Sequence, residues 1–308
     1  MMQRYGFALL FLLPVGQLAR AESTTDALKA LGAKVTLDKQ GEITQLSFTD
    51  SSKLGAKEFE LIGSCTHLKN LTLYGKCSGL TDETLPLLKG LEKLETLSTD
   101  LIMVSDEGFR GFAPMKSLKS LALFHCGYQF KPFTGKGFVH LKSLPNLQQL
   151  TYGGTTTGTD ALKALATISQ LTDLRTWHNW NTIEDAAVIG GMTQLKHLRY
   201  GQRLRRYTPN EPAPSLSDTT LTEFAKLKQL ETLHLDEARL TFAGLKAFKT
   251  LPELKKLTLE RIDIPAADVE RLKAELPGVA ITWMPMTAEE VKRLDAILAD
   301  RRPAPNKQ

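Results

Sequence analysis

Cysteine is scarce in this 308-residue chain, which contains Cys65, Cys77 and Cys126 and no others. An odd count leaves at least one thiol unpaired, so a small disulfide-stapled scaffold is excluded. Long hydrophobic runs are missing too. Phe7 to Val15 is interrupted by Pro14, and no later stretch approaches the ~18 apolar residues of a membrane-spanning helix. Charge of one sign is not in excess: the formal net charge is +5, with no concentrated basic stripe of the kind that binds nucleic acid. Catalytic signatures are absent as well. The chain has no His-Glu-x-x-His, Cys-x-x-Cys, Gly-x-Ser-x-Gly or Gly-x-x-x-x-Gly-Lys pattern, so zincin, thiol-redox, α/β-hydrolase and P-loop chemistry have no sequence support.

The first 21 residues read as a secretory signal peptide. One charge at Arg4, the short apolar run and Ala19-Arg20-Ala21 supply its three parts, which predicts cleavage after Ala21. An uncleaved N-terminal anchor is the alternative. Cleavage removes Arg4 and Arg20 and lowers the net charge from +5 to +3. A secreted, periplasmic or cell-envelope location follows as an expectation, with no transmembrane segment in the mature chain.

What is present is a repeat. The pattern Leu-x-x-Leu-x-Leu, strict or degraded, begins at Ile43, Leu68, Leu94, Leu118, Leu147, Leu174, Leu195, Leu230, Leu254 and Leu276, at intervals of 25, 26, 24, 29, 27, 21, 35, 24 and 22 residues. Each unit reads as a short strand followed by a helical return. Thr81-Asp82, Ser105-Asp106, Thr159-Asp160, Ser217-Asp218 and Thr241 supply helix N-caps. Stripes such as Leu85, Leu88 and Leu91 pack the returns onto the strands. Units that cannot bury an apolar face alone stack into a solenoid with parallel strands.

The stretches LKNLTL (68–73), LKSLAL (118–123), LETLHL (230–235) and LKKLTL (254–259) resemble the leucine-rich repeat family. The helix-containing subtype, similar to ribonuclease inhibitor and to exported bacterial repeat proteins, fits best. The resemblance implies an α/β horseshoe of about ten repeats, with a parallel β-sheet on the concave face and helices on the convex face. Thr99, Trp177, Asn179 and Tyr200 replace core leucines. The Asn that follows the strand in many members is missing, which favours full helices over 3₁₀ returns. The expected organisation is signal peptide 1–21, N-terminal cap with the first degenerate repeat 22–66, repeats 67–284, capping helix 285–300 and loose tail 301–308. Cys77 and Cys126, two strands apart, would stand ~10 Å from each other, beyond the ~7 Å a disulfide tolerates. Cys65–Cys77 stays geometrically open beside the reading of three buried free thiols.

Strand alternation places Thr176, His178 and Trp180, then His197 and Arg199, then His234 and Asp236 on the exposed face of three neighbouring strands. Insertions carrying Tyr128 and Phe130, and Arg205 and Arg206, emerge from one rim. Trp, Arg and His on one face suit a protein-binding hot spot. Zinc is disfavoured because Arg199 falls between His178 and His234, so neither metal nor cofactor is expected. The reading is an exported, monomeric, non-enzymatic module that binds a protein or other macromolecular partner, and not nucleic acid. The alternatives are a hydrolase-like enzyme using His178, His234 and Asp236, or a structural component of the cell envelope.

Overall fold

The computed structural model describes residues 24–128, 130–202 and 213–299. The expected signal peptide, the tail at 301–308 and the rim residues Arg205 and Arg206 lie outside them. Among the described residues, no helix is long and apolar enough to cross a membrane.

A helical segment at 24–30, α1, leads into a hairpin of β1 (Lys34–Leu37) and β2 (Ile43–Phe48). The Asp38 carboxylate closes its turn by accepting from the Gln40 and Glu42 amides. Nine further strands pair in parallel: β3 (Asn70–Leu73), β4 (Thr96–Asp100), β5 (Ser120–Phe124), β6 (Gln149–Gly153), β7 (Asp173–Trp177), β8 (His197–Gly201), β9 (Thr232–Arg239), β10 (Lys256–Asp263) and β11 (Ala280–Met284). All eleven form one sheet in sequence order. That order is what a solenoid of strand-plus-return units produces, and the chain is a leucine-rich-repeat-like α/β solenoid.

The strand register fixes two inward rows. Leu46, Leu71, Leu97, Leu121, Leu150, Leu174, Leu198, Leu233, Leu257 and Ile281 face one another along the first. Phe48, Leu73, Thr99, Leu123, Tyr152, Thr176, Tyr200, Leu235, Leu259 and Trp283 form the second. Two repeats therefore start elsewhere than their leucines suggest. Leu174 is the middle residue of its unit, whose first is Leu171, and the last unit starts at Gly278 instead of Leu276. In this register Leu147, Leu171 and Leu195 are evenly spaced by 24 residues.

The convex returns are mixed. The first is the α-helix α2 (Ala56–Gly63), but Leu85–Gly90, Gly108–Phe112 and Lys136–Ser143 are 3₁₀ turns. Short α-helices follow: α3 (Thr159–Leu165), α4 (Asp185–Gly190), α5 (Asp218–Phe224), α6 (Phe242–Leu245, continued as 3₁₀ to Thr250) and α7 (Ala266–Glu275). This corrects the expectation of full helices throughout. Pro86, Gly108 and Gly111 lower α-propensity where the 3₁₀ turns occur. The returns also stack closely: a Cβ at Gly63 would lie 2.0 Å from the Leu87 carbonyl oxygen. The narrower 3₁₀ coil suits that spacing.

The Ser/Thr-Asp pairs do more than cap their own returns. The Asp82 carboxylate accepts from the Ser105 amide (2.8 Å) and hydroxyl (2.5 Å) in the next repeat. Asp106 accepts from Thr134 Oγ1 and from the Thr134, Gly135 and Gly137 amides. Asp218 accepts from the Thr241 amide and hydroxyl. In each receiving repeat the residue three past the Ser or Thr is glycine: Gly108, Gly137 and Gly244. A Cβ on Gly108 would lie 1.8 Å from Asp82 Oδ1, and one on Gly244 2.3 Å from Asp218 Oδ1. Asp in one unit and Ser/Thr-x-x-Gly in the next thus form an interlocking pair. Asp160 precedes Thr182-Ile183-Glu184-Asp185, which lacks the glycine, and it instead sits half-exposed 3.5 Å from Lys136.

The interior is mostly leucine, with a phenylalanine cluster (Phe109, Phe133, Phe138) packed at centroid spacings of 5.2–5.4 Å. Cys65, Cys77 and Cys126 are buried free thiols, and burial pushes Cys65 up to about 11 and Cys77 up to about 12, so neither forms thiolate near neutrality. One stretch of core is polar. Asn179 occupies the slot held by Cys126, Ala238 and Ile262 in other units. It accepts from the Thr155 amide and hydroxyl and donates to Thr176 Oγ1 and the Tyr152 carbonyl. After the last strand, α8 (Ala288–Ala299) opens with a reciprocal Thr287–Glu290 cap. Its Leu294 and Ile297 pack with Met286 as a small separate cluster, while Leu298 is exposed.

Candidate recognition surface

Outward-facing strand positions form three rows across the concave sheet. On β7 to β10 the first row is Asp173, His197, Thr232 and Lys256, and the second is Arg175, Arg199, His234 and Thr258. The third row, at the C-terminal ends of the strands, reads Tyr74, Asp100, Phe124, Gly153, Trp177, Gly201, Asp236 and Glu260.

The aromatic members of the third row touch. Tyr74 and Phe124 meet edge to face at 6.0 Å, and Phe124 and Trp177 meet at 6.0 Å although Gly153 stands between them. A side chain there would crowd the ring, because a Cβ on Gly153 would lie 3.4 Å from the indole. The Arg199 guanidinium lies over the other side of the platform, 4.4 Å from the Trp177 ring centroid, a cation–π contact.

Arg199 is held from behind by carboxylates. Its Nη2 donates to Asp236 Oδ2 (3.1 Å) and Glu260 Oε2 (3.3 Å). Arg261 grips the same group, with Nη2 to Asp236 Oδ1 at 2.6 Å and Nη1 to Glu260 Oε1 at 2.9 Å. Its Nε lies 3.2 Å from Glu237 Oε1, which His178 Nε2 approaches to 3.6 Å. Asp236 is completely buried and Glu237 is 2% exposed. Burial pushes the Asp236 carboxyl up to about 6 despite the guanidiniums that oppose the shift. Burial, and then the Arg199 charge, pull His234 down to about 4 against the pull of Glu260.

The backbone supplies part of this geometry. Leu101, His125, His178, Glu237 and Arg261 each follow the third-row residue directly and have φ between 48° and 60°. A left-handed non-glycine residue costs about 1–3 kcal/mol. Here it interrupts the regular alternation at the end of the third row, and His178, Glu237 and Arg261 meet at the rim, although β9 and β10 resume pairing one residue later.

The shifted register changes which residues of the sixth repeat face the solvent. Thr176, expected on the exposed face, is fully buried. His178 and Trp180 lie beyond the end of β7, and Trp177 takes the concave place assigned to Trp180. Trp180 is half-buried in the rim turn, its amide donating to the Thr157 carbonyl. His197, Arg199 and His234 stand on the concave sheet as expected. Asp236 is on the expected strand but has no exposed surface, and both its oxygens are held by Arg199 and Arg261. Tyr128 and Phe130 are half-buried on their loop, and Phe130 packs against the core. Trp177, Arg175, Asp173 and Arg261 had no part in the sequence-based site. The even spacing of Leu147, Leu171 and Leu195 was the available signal for the first three.

A cleft of about 540 Å³ opens beside the platform, lined among others by Phe124, Arg175, Trp177, His197, Arg199 and Lys256. A metal would have a different address. His234, Asp236 and Glu260 carry donor atoms within 4.8 Å of one another. Both Asp236 oxygens are already held by guanidiniums, and Glu260 Oε2 is shared by His234 (2.8 Å) and Arg199. An entering cation would have to displace two arginines, so these residues do not suit one.

Repeat count, strand order and the inward leucine rows place the chain in the leucine-rich-repeat-like class of α/β solenoids. No protein-family model matches the sequence, and no curated protein matches it. Among solved structures, internalin C2 (inlC2) of Listeria monocytogenes str. 4b F2365 is similar over 86% of this chain and 92% of its own, at 16% identity and a TM-score of 0.42. The fold assignment stands on strand pairing and burial, without that likeness.

Proposed function

We propose that this protein is an exported, non-enzymatic recognition module that binds a protein partner through its concave sheet. The observation that carries the reading is the continuous Tyr74–Phe124–Trp177–Arg199 platform beside the cleft. Large aromatic faces and a guanidinium held in place by the buried Asp236 and the half-buried Glu260 lose little entropy on binding, which is how interface hot spots concentrate energy. Strands locked in a continuous ladder keep the platform rigid. The hydrolase-like alternative needs His178, His234 and Asp236 to converge with a free acid or base. Instead His178 faces Glu237, and Asp236 has both oxygens engaged.

Once a partner is in hand, Trp177→Ala should cost about 2 kcal/mol or more of binding energy. Lys89→Ala and Lys163→Ala, exposed on the convex side, should leave affinity unchanged. A partner indifferent to Trp177 and sensitive to the convex lysines would refute the proposal.

A further inference from the structure

In the first two outward rows of the concave face, charge is confined to one half. On β2 to β6 the first two outward rows are Gln45, Asn70, Thr96, Ser120 and Gln149, and Ser47, Thr72, Ser98, Ala122 and Thr151, with no charged residue. On β7 to β10 the same rows bring Arg175, Arg199 and Lys256 around the cleft, with two histidines and a single acid, Asp173. Arg175 and Arg199 stand directly opposite each other on adjacent strands. Like charges in register destabilise a sheet, so the arrangement costs the fold something that packing does not return.

The donors are only partly used. Arg175 turns its Nε and Nη2 to Asp173 at 3.0 and 2.8 Å, and its side chain is about half exposed. Arg199 uses Nη2 for Asp236 and Glu260. Among the described residues, Nη1 of both arginines makes no hydrogen bond, and Lys256 is exposed without an ion-pair partner. The Nη1 groups left over belong to guanidiniums that line one cleft, and such donors are matched by carboxylates, with which they make charge-assisted hydrogen bonds. The buried Asp236 and the half-buried Glu260 lie behind Arg199 and position it, and Asp173 pairs with Arg175, so Lys256 is the cleft cation that carries its charge without an acidic partner among the described residues.

We infer that this cleft recognises an acidic peptide segment of the partner, with successive carboxylates bridging Arg175, Arg199 and Lys256. The uncharged hydroxyl and amide rows of β2 to β6 then run alongside the segment's neutral continuation. This inference rests on the concave face being the recognition surface.

The test uses the full mature chain and a capped hexaglutamate peptide, with hexaglutamine, inorganic phosphate and a sulfated polysaccharide as comparison ligands, read by calorimetry. Hexaglutamate should bind and hexaglutamine should not, and binding should weaken at least tenfold between 50 and 300 mM salt. Lys256→Glu, at an exposed and unpaired position, should weaken it about tenfold or more without affecting folding, and Arg175→Gln should act in the same direction. Lys163→Glu on the convex side should change nothing. Equal binding of hexaglutamine, an unchanged affinity in Lys256→Glu, or binding of phosphate or the sulfated polysaccharide in preference to the peptide would each overturn the inference. Cross-links from a natural partner distinguish the two levels. Cross-links on the concave sheet without hexaglutamate binding remove this ligand class and leave the recognition surface, whereas cross-links confined to the convex returns remove both.

Discussion

Replacing Asp106 with alanine should destabilise the solenoid by about 2–3 kcal/mol, because its carboxylate fastens two repeats together. The group accepts the Thr134 hydroxyl at 2.6 Å and the Gly135 and Gly137 amides at 3.1 and 2.9 Å, with the Thr134 amide at 3.2 Å. A hydrogen bond to a charged acceptor contributes roughly 1.5–3 kcal/mol, and four would sum to more than is observed for any cap. Asp106 is only half-buried, however, and water can reach part of what it leaves. The upper range for a lost N-cap, about 2 kcal/mol, therefore sets the scale. Asp106→Asn should cost less, since one acceptor oxygen remains. Asp160→Ala is the control: its carboxylate finds only Lys136 at 3.5 Å, so the cost should stay under about 1 kcal/mol. Urea unfolding supplies the energies, and hydrogen exchange at the Gly135 and Gly137 amides locates them in an array that need not unfold in one step. A double-mutant cycle of Asp106→Ala with Thr134→Ala should show coupling of roughly 1 kcal/mol. If the two costs add without coupling, or if Asp160→Ala hurts as much as Asp106→Ala, the interlocking of repeats is not what holds the convex side.

Three further outcomes are expected. Arg261→Met should cost about 3–5 kcal/mol at pH 7, because it strips a guanidinium from the buried Asp236 and Glu237 carboxylates, and part of the loss should return on acidification to pH 5; a deficit that does not change with pH would show that the lost stability came from packing. Asp236, raised to about 6, adds stability that is complete below its unfolded value of 3.8 and disappears as pH rises through 6, while His234, lowered to about 4, adds stability that is present above 6.5 and disappears as pH falls through 4. The two offset each other between pH 4 and 6, so His234→Gln should gain on the wild type by roughly 3 kcal/mol between pH 7 and 4, and parallel denaturation profiles for the two proteins would contradict this. Leu121→Ala should cost about 2–5 kcal/mol through the cavity it leaves in a fully buried row, and a near-neutral result by thermal or urea unfolding would mean the inward register is misplaced.

The repeats that could be read in the sequence are those in which hydrophobicity and direction agree. From Leu68 to Leu123 and from Leu230 to Leu259 the inward rows are leucine or nearly so, and the concave residues His234 and Asp236 fall where alternation puts them. The eighth strand also holds, since Leu195 and Leu198 bracket His197 and fix Arg199 outward. The reading slips in the sixth unit, where the rule is inverted: the inward positions are Thr176 and Asn179, and the outward one is Trp177. A pattern search assigns Trp to the core and Thr to the surface, and so moves the strand by three residues. The convex side hides a second kind of information. Thr81-Asp82 and Ser105-Asp106 look like self-contained caps, yet each Asp serves the following unit, and only the matched glycine three residues past the receiving Ser or Thr reveals it.

The inverted unit is also where the platform stands, and the two facts have one cause. A concave surface that is to bind needs an aromatic face outside, which removes an apolar residue from the place where the repeat would otherwise announce its register. A ring of that size needs clear neighbours on both strands beside it, and Gly153 and Gly201 provide them: a Cβ at Gly201 would lie 3.1 Å from the Trp177 Cβ and 2.9 Å from that of Asp236. The interior behind it, short of apolar side chains, is held by the Thr155–Asn179–Thr176 hydrogen bonds. Local departures from the repeat are therefore expected at a binding site and carry the specificity that regular leucine rows cannot encode. Replacing Gly153 with valine probes this directly. Gly153 has no positive φ, but a Cβ there would lie 3.0 Å from the Trp177 carbonyl oxygen and 3.4 Å from the indole. The neighbouring strand must therefore give by a few tenths of an ångström while the side chain displaces the indole from Phe124. Unchanged far-ultraviolet dichroism is required to show that the fold persists. Partner affinity should then fall by about as much as in Trp177→Ala. Unchanged affinity with the ring displaced, as reported by a shifted near-ultraviolet dichroism signal, would mean that the contact between Phe124 and Trp177 serves the sheet and not a partner.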